Sequence, residues 1–504
     1  INEASLEVGD EKTLSIIAGD IAISSGDNDF KDNLSAPGGR IDLVSVASPG
    51  KVTRDYTESA PGITTESFDT LGDISIFKGS VNAGGSGGGA ICIRAEKLTS
   101  DSSYIYSSTK GPGDRTANTG IDIKISGKMV LNDSAGTGSV IGSNIFENVD
   151  EDSGFIRIKS NELEITNGAG IRSMGFKGSS GFSGEIHLET EMLSINDQGF
   201  IQTGTGGSGK SGDIVINTDH IAIQDGGYIL SNAFDGTADS GDIFITSDHA
   251  LLSNEKAPGS LTGISAQTYY PGTGSAGNVS LNTNQLEMNP ATEISTPTFY
   301  TGTGGNINLT IGDSGSIQGT KETGIDGNPV YTGIFANSFW SGKGGNIHLS
   351  GNSLEMKTEA SIQVGAFSTG NAGSALIDLN ELNIEDSAYI AASGYYGKGG
   401  DCGSLTVLAD HLNISGPAVS SDPFGRDGTG IFAETGPNGG KGGRITIDTD
   451  WLDMTNRCKI TSSSYGPGNA GPIDISATRF DVLEGSSILS SAYGSGKGGL
   501  INIL

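Results

Sequence analysis

A glycine followed by alternating apolar residues recurs fourteen times along the second four-fifths of the chain, and no other feature constrains the fold as tightly. The copies are GAICI at Gly89, GIDIKI at Gly120, GFIRI at Gly154, GEIHL at Gly184, GDIVI at Gly212 and GDIFI at Gly241. They continue as GNVSL at Gly277, GNINL at Gly305, GNIHL at Gly345, GSALI at Gly373, GSLTV at Gly403, GRITI at Gly443, GPIDI at Gly471 and GLINI at Gly499. Successive spacings are 31, 34, 30, 28, 29, 36, 28, 40, 28, 30, 40, 28 and 28 residues, so the base unit is 28 residues with occasional insertions. Fixed-period self-similarity of this length marks a solenoid.

Each unit has two further apolar stations. Nine residues after the glycine comes a pair such as Leu163/Ile165, Leu193/Ile195, Leu286/Met288, Leu382/Ile384 or Leu452/Met454. Farther on stands a lone isoleucine, as at Ile171, Ile201, Ile229, Ile294, Ile362, Ile390, Ile460 and Ile488. Alternation within a station has period two, a strand signature. Short strands of this kind cannot bury their apolar sides within one unit. Coiling the chain so that equivalent strands stack in parallel solves the problem. The expectation is an all-β, right-handed parallel β-helix with about 28 residues and three short strands per rung. At about 4.8 Å per rung, some sixteen rungs make a rod on the order of 75 Å long. Glycine, 81 of 504 residues and without collagen's spacing, is expected to mark tight turns.

Three units are longer, and their third-station isoleucines shift to Ile264, Ile334 and Ile431. The extra residues, near 249–263, 314–333 and 415–430, lie between the second and third stations and emerge on one side. Residues 89–504 are the regular part. Residues 1–88 read as an irregular early part of the same solenoid, with a polar, aperiodic projection near 52–70. Aromatic residues recur five positions beyond the third-station isoleucine, at Phe176, Phe234, Tyr269, Phe299, Phe339, Phe367, Tyr395, Tyr465 and Tyr493, with Gly206 and Gly436 interrupting the series. That placement brings rings of adjacent rungs within stacking distance. Turn-stabilising stacking is the plainer reading, and a strip for ligands such as sugars the sharper one.

Fifty-nine acidic against 29 basic residues give a net charge of −30, which disfavours nucleic acid and anionic membrane as partners. Cys92, Cys402 and Cys458 are an odd, scattered set, giving neither a disulfide framework nor a thiolate zinc site. No run of 18 apolar residues exists to insert in a membrane. A β-helical polysaccharide lyase or hydrolase would need clustered carboxylates. The outward positions instead mix Arg157, His187, Val215, Phe244, Ser280, Asn308, His348, Thr446 and Asp474, so no catalytic residue is named and no enzyme is expected. No cofactor and no metal ligands are expected, beyond weak calcium binding in acidic turns.

The segments SLEVGDEKTLSIIAGDIAISSGD (5–27), LSAPGGRIDLVSVASPGKV (34–52) and GDISIFKGSVNAGGSGGGAICI (72–93) resemble filamentous-haemagglutinin-type exoproteins of two-partner secretion systems, in the variety common in cyanobacteria. Later units such as GNIHLSGNSLEMKTEASIQVGAFSTGNAG (345–373) resemble that family's repeats. The resemblance implies export through an outer-membrane partner transporter, and a secreted protein of the outer cell surface or extracellular matrix. It implies an adhesin or fibre component that contacts host or neighbouring cells or their glycans. The alternative is a carbohydrate-binding or polysaccharide-cleaving β-helix. The family's amino-terminal secretion domain has no counterpart here, so the chain is expected to lie just downstream of it. Both ends read as open rungs, with head-to-tail self-assembly the expectation. Leu6 and Val8 of one copy would then fall near the second station, beyond Ile501 and Ile503 of another.

Overall fold

The computed structural model describes residues 1–26, 32–55, 62–113, 119–256, 262–320, 331–394, 400–416 and 428–504. Among these residues there is no helix, and the strands form long parallel ladders: the fold is a parallel β-helix solenoid. The chain divides into two compact units, the first made of Ile1–Ala222 and Gly227–Ile245, the second of Ile223–Gly226 and Thr246–Leu504.

In the first unit the third station is an unbroken column. Leu6 pairs with Leu34, Leu34 with Val81, Val81 with Ile105, Ile105 with Ile141, Ile141 with Ile171, Ile171 with Ile201 and Ile201 with Ile229. In the second unit the same column runs Ile264, Ile294, Ile334, Ile362, Ile390, Ile431, Ile460 and Ile488. Ile264, Ile334 and Ile431 hold their register despite the long units, so the insertions leave the rung without shifting the core. Their middles, residues 257–261, 321–330 and 417–427, lie outside the described residues. Nearly all these isoleucines are fully buried, and each contributes about 1.5–3 kcal/mol relative to exposure.

The first two stations take two forms. In early rungs they are separate strands, such as Ala90–Ala95 and Lys97–Asp101, or Gly120–Ile125 and Lys128–Asn132. From Phe155–Ile165 onward they run on as one strand of 10 to 12 residues. The irregular form thus reaches past residue 88. Within Phe155–Ile165, Ile156, Ile158, Ser160, Leu163 and Ile165 are buried, while Asn161 and Glu162 are exposed in succession. That slip in the alternation turns the strand around a corner while keeping both apolar sets inside. Serine and threonine hydroxyls line another corner: Thr296 Oγ1 donates to Gly305 O at 2.6 Å and Ser490 Oγ to Gly471 O at 2.7 Å. These bonds satisfy carbonyls that the core would otherwise leave unpaired.

Of the segment near 52–70, residues 56–61 lie outside the described residues. Thr53–Asp55 and Gly62–Thr64 pair antiparallel, and these two hairpin strands lie on the outer face of Arg40–Ser45 and Ala90–Ala95. Ile63 packs against Val44 and Cys92, and Arg94 Nε donates to Ile63 O at 3.1 Å. An outward face that would otherwise meet water becomes a second small core. Burial pushes the Cys92 thiol up to about 12, so it stays protonated at neutral pH.

Candidate functional site

In the second unit each third-station strand is followed by a single parallel bridge to the neighbouring rung, and the next residue is the aromatic one except after Thr435, where it is Gly436. Thr268, Thr298, Ser338 and Ala366 bridge in series. Phe299 N then bonds Thr268 O at 3.1 Å, Phe339 N bonds Thr298 O at 2.9 Å and Phe367 N bonds Ser338 O at 2.8 Å. Backbone bonds therefore set the ring spacing. Tyr269 and Phe299 stack with centroids 5.6 Å apart and planes 7° apart; Phe299 and Phe339 stack at 4.9 Å and 6°, Phe339 and Phe367 at 4.9 Å and 14°. Tyr465 and Tyr493 stack at 4.7 Å and 8°. In the first unit Phe176 meets Phe146 edge-on at 6.3 Å, and Phe234 lies over the space where a Gly206 side chain would stand. Tyr395 lies outside the described residues.

Beside this column in the second unit runs another, Tyr270, Tyr300 and Trp340, with centroids 5.1 and 6.4 Å apart. Tyr270 is 71% exposed and Trp340 56%, so this row faces solvent. A cleft of about 190 Å³ opens next to Phe299, Phe339 and Phe367, walled by Pro297, Tyr331 and Phe335. Its polar groups are Gln267, Glu293, Ser295, Asn337 and Gln363. Gln267 Nε2 donates to Tyr269 OH at 2.6 Å and Gln363 Nε2 to Tyr389 OH at 2.7 Å. The cleft is smaller than ordinary small-molecule sites, about 300–1,000 Å³. It accommodates one ring or side chain of a longer ligand lying along the exposed aromatic row.

Glu293 is the one carboxyl of the cleft among its described lining residues. It reaches solvent through the opening but is otherwise surrounded by protein, and this desolvation raises its pKa against the lowering effect of the Ser295 hydroxyl, which bonds it at 3.0 Å. The raised value favours the folded state while the carboxyl is protonated, and that contribution is lost as pH climbs through the folded-state pKa. Thermal unfolding of Glu293→Gln beside the parent over a pH series is therefore expected to show the parent losing ground to the variant as pH rises above the ordinary glutamate range. Parallel pH profiles for the two would refute the assignment.

Leu6 registers with Leu34 in the third-station column, not near the second station. Val8 N bonds Ser35 O at 3.0 Å on the same strand line. Ile501 and Ile503 align with Ile473 and Ile475 in the first station. The outward first-station positions Ser280, Asn308, His348, Leu376, Thr406, Thr446 and Asp474 are in register and chemically mixed. No three His, Cys, Asp or Glu converge among the described residues.

Sequence reasoning missed Phe146, although it stands five residues beyond Ile141, and the same spacing rule finds it. It also missed the second column, visible as the doublets Tyr269–Tyr270, Phe299–Tyr300 and Phe339–Trp340. Comparison with protein-family models, curated proteins and solved structures found no match to this chain.

Proposed function

We propose that the chain is a secreted structural protein of the cell surface, an adhesin or extracellular fibre component, exported through an outer-membrane partner transporter. The observation that carries this reading is the double aromatic column of the second unit. A regular parallel ladder repeats one contact chemistry at rung spacing, with rings aimed at solvent beside a narrow cleft. Such a surface suits an extended ligand better than a compact one, because each rung adds an equivalent contact. The exposed rings of Tyr270, Tyr300 and Trp340, edge-on or tilted to one another and not stacked together, favour sugar rings and apolar side chains, the groups that neighbouring cells and their glycans present.

Carbohydrate binding without a structural role is the second reading, favoured by the cleft. Cleavage is less well supported, because glycoside hydrolysis uses two carboxyl groups and the described lining residues of the cleft supply Glu293 alone. The experiment that tests the location is antibody labelling of cells that make the chain, before and after permeabilisation. Labelling of intact cells or shed material is expected. Labelling only after permeabilisation would overturn the proposal.

A further inference from the structure

The first unit holds a larger groove, about 740 Å³, on the outer face of the third-station sheet. It lies within the range of small-molecule sites, roughly 300–1,000 Å³. Its chemistry is opposite to that of the chain as a whole. The protein has two acidic residues for each basic one, 59 against 29, yet among its described lining residues the groove gathers Lys78, Lys110 and Arg172 around one carboxylate, Asp32. That carboxylate is engaged: Ser80 Oγ and Asn82 Nδ2 each donate to it at 2.8 Å.

The register explains how the cations and the rings meet. Tyr106 pairs with Gly142, and Gly142 with Arg172, so a glycine separates ring from guanidinium along one outward column. A Cβ on Gly142 would lie 3.1 Å from two Tyr106 ring atoms, which makes the missing side chain part of the groove. Tyr104 and Tyr106 stack at 5.4 Å and 19° and form a platform. Lys110 Nζ lies 5.8 Å from the Phe146 ring centroid. Arg172 Nε is buried without a hydrogen-bond partner among the described residues. A buried donor left unmade is unfavourable, and an anionic acceptor is the group that best relieves it.

We propose that this groove binds an anionic glycan segment, the carboxylates of a short oligouronate meeting Arg172, Lys78 and Lys110 while its sugar faces lie on Tyr104 and Tyr106. The paired rings distinguish a saccharide from an acidic peptide, and Ser108 and Asn144 line the groove with a hydroxyl and an amide NH2 able to donate to sugar oxygens, while Ser108 Oγ accepts from Asn144 N and Asn144 Oδ1 from Met174 N. The net negative charge of the chain does not prevent this. At ordinary salt it is screened beyond roughly 8–10 Å, so the local cations decide. The site lies in the first unit, and it stands independently of the cleft in the second.

The test is calorimetric titration of the purified full chain with trigalacturonate, cellotriose, a sulfated trisaccharide and hexaglutamate. Saturable one-site binding of trigalacturonate is expected, with cellotriose much weaker and affinity falling as salt is raised. Arg172→Gln should weaken binding about tenfold or more, and a Lys78→Gln/Lys110→Gln double variant should reduce both affinity and salt dependence. Circular dichroism checks the fold, and should Arg172→Gln unfold the unit, the lysine pair decides. Comparable binding of the sulfated sugar supports the anionic-glycan assignment. Three results would overturn it: no saturable binding of either charged sugar, undiminished binding by the folded variants, or equally tight binding of hexaglutamate or cellotriose.

Discussion

Gly373→Ala is expected to destabilise the second unit by about 3 kcal/mol or more, a mutational effect of the overpacking class. A Cβ at Gly373 would stand 1.6 Å from Gly345 O and 2.6 Å from its carbonyl carbon. Backbone, not a movable side chain, occupies that space. The same geometry recurs up the column: a Cβ on Gly305 would lie 1.8 Å from Gly277 O, on Gly345 1.7 Å from Gly305 O and on Gly403 1.5 Å from Gly373 O. In the first unit, Gly184 would meet Gly154 O at 1.9 Å. These glycines are required by close approach of stacked main chains, and none of them has a left-handed φ. Denaturant unfolding gives the comparison, with Gly19→Ala as the control, since nothing lies within 4 Å of a Cβ there. The control should change stability by no more than about 0.5 kcal/mol. A Gly373→Ala chain as stable as its parent would show that the rungs can separate to admit a methyl group.

The interior was legible because it obeys local rules. Ile264, Ile334 and Ile431 kept their places in the column although their units are long, since an insertion between stations does not alter which side of a strand faces in. The roles of the rung glycines were less legible. Their frequency suggested turns, while their actual requirement depends on a residue about 28 positions away. The joining of the first two stations into one strand was also hidden, because the slip at Asn161 and Glu162 looks like a break in periodicity and acts as a bend. Aromatic spacing predicted the column, but the cleft needed Gln267, Glu293 and Gln363, polar residues from three rungs whose meeting only the register reveals. Polar outward residues follow no apolar pattern, so both candidate sites lay beyond what periodicity reports. The antiparallel pair of Thr53–Asp55 and Gly62–Thr64 was opaque for the same reason: one buried isoleucine and a few charges hold it, and nothing repeats.

Those charges give the other large effect. Asp122→Ala is expected to destabilise the first unit by about 3–5 kcal/mol, as breaking one side of a buried ion pair does. The Arg94 side chain is 2% exposed and the Asp122 side chain 9%, and the guanidinium Nη2 donates to the carboxylate. Removing the carboxylate leaves Arg94, among the described residues, with main-chain oxygens alone, Ile63 O at 3.1 Å and Ile93 O and Asp122 O each at 2.9 Å. Carbonyl dipoles do not neutralise a full positive charge away from water. Because one of those oxygens belongs to the hairpin, loosening Arg94 should also loosen Gly62–Thr64, exposing it to proteases under native conditions. Lys159→Ala provides the contrast, for its pairing with Glu189 is 59% and 55% exposed, and surface pairs contribute only about 0–1 kcal/mol. If both substitutions lower the denaturant midpoint equally, Arg94 is better hydrated than its burial implies. An Arg94→Met/Asp122→Leu double variant separates the pair from its desolvation. Replacing both charges by apolar groups of similar size should recover most of the loss, because the hairpin then sits on a surface that no longer needs a counter-charge.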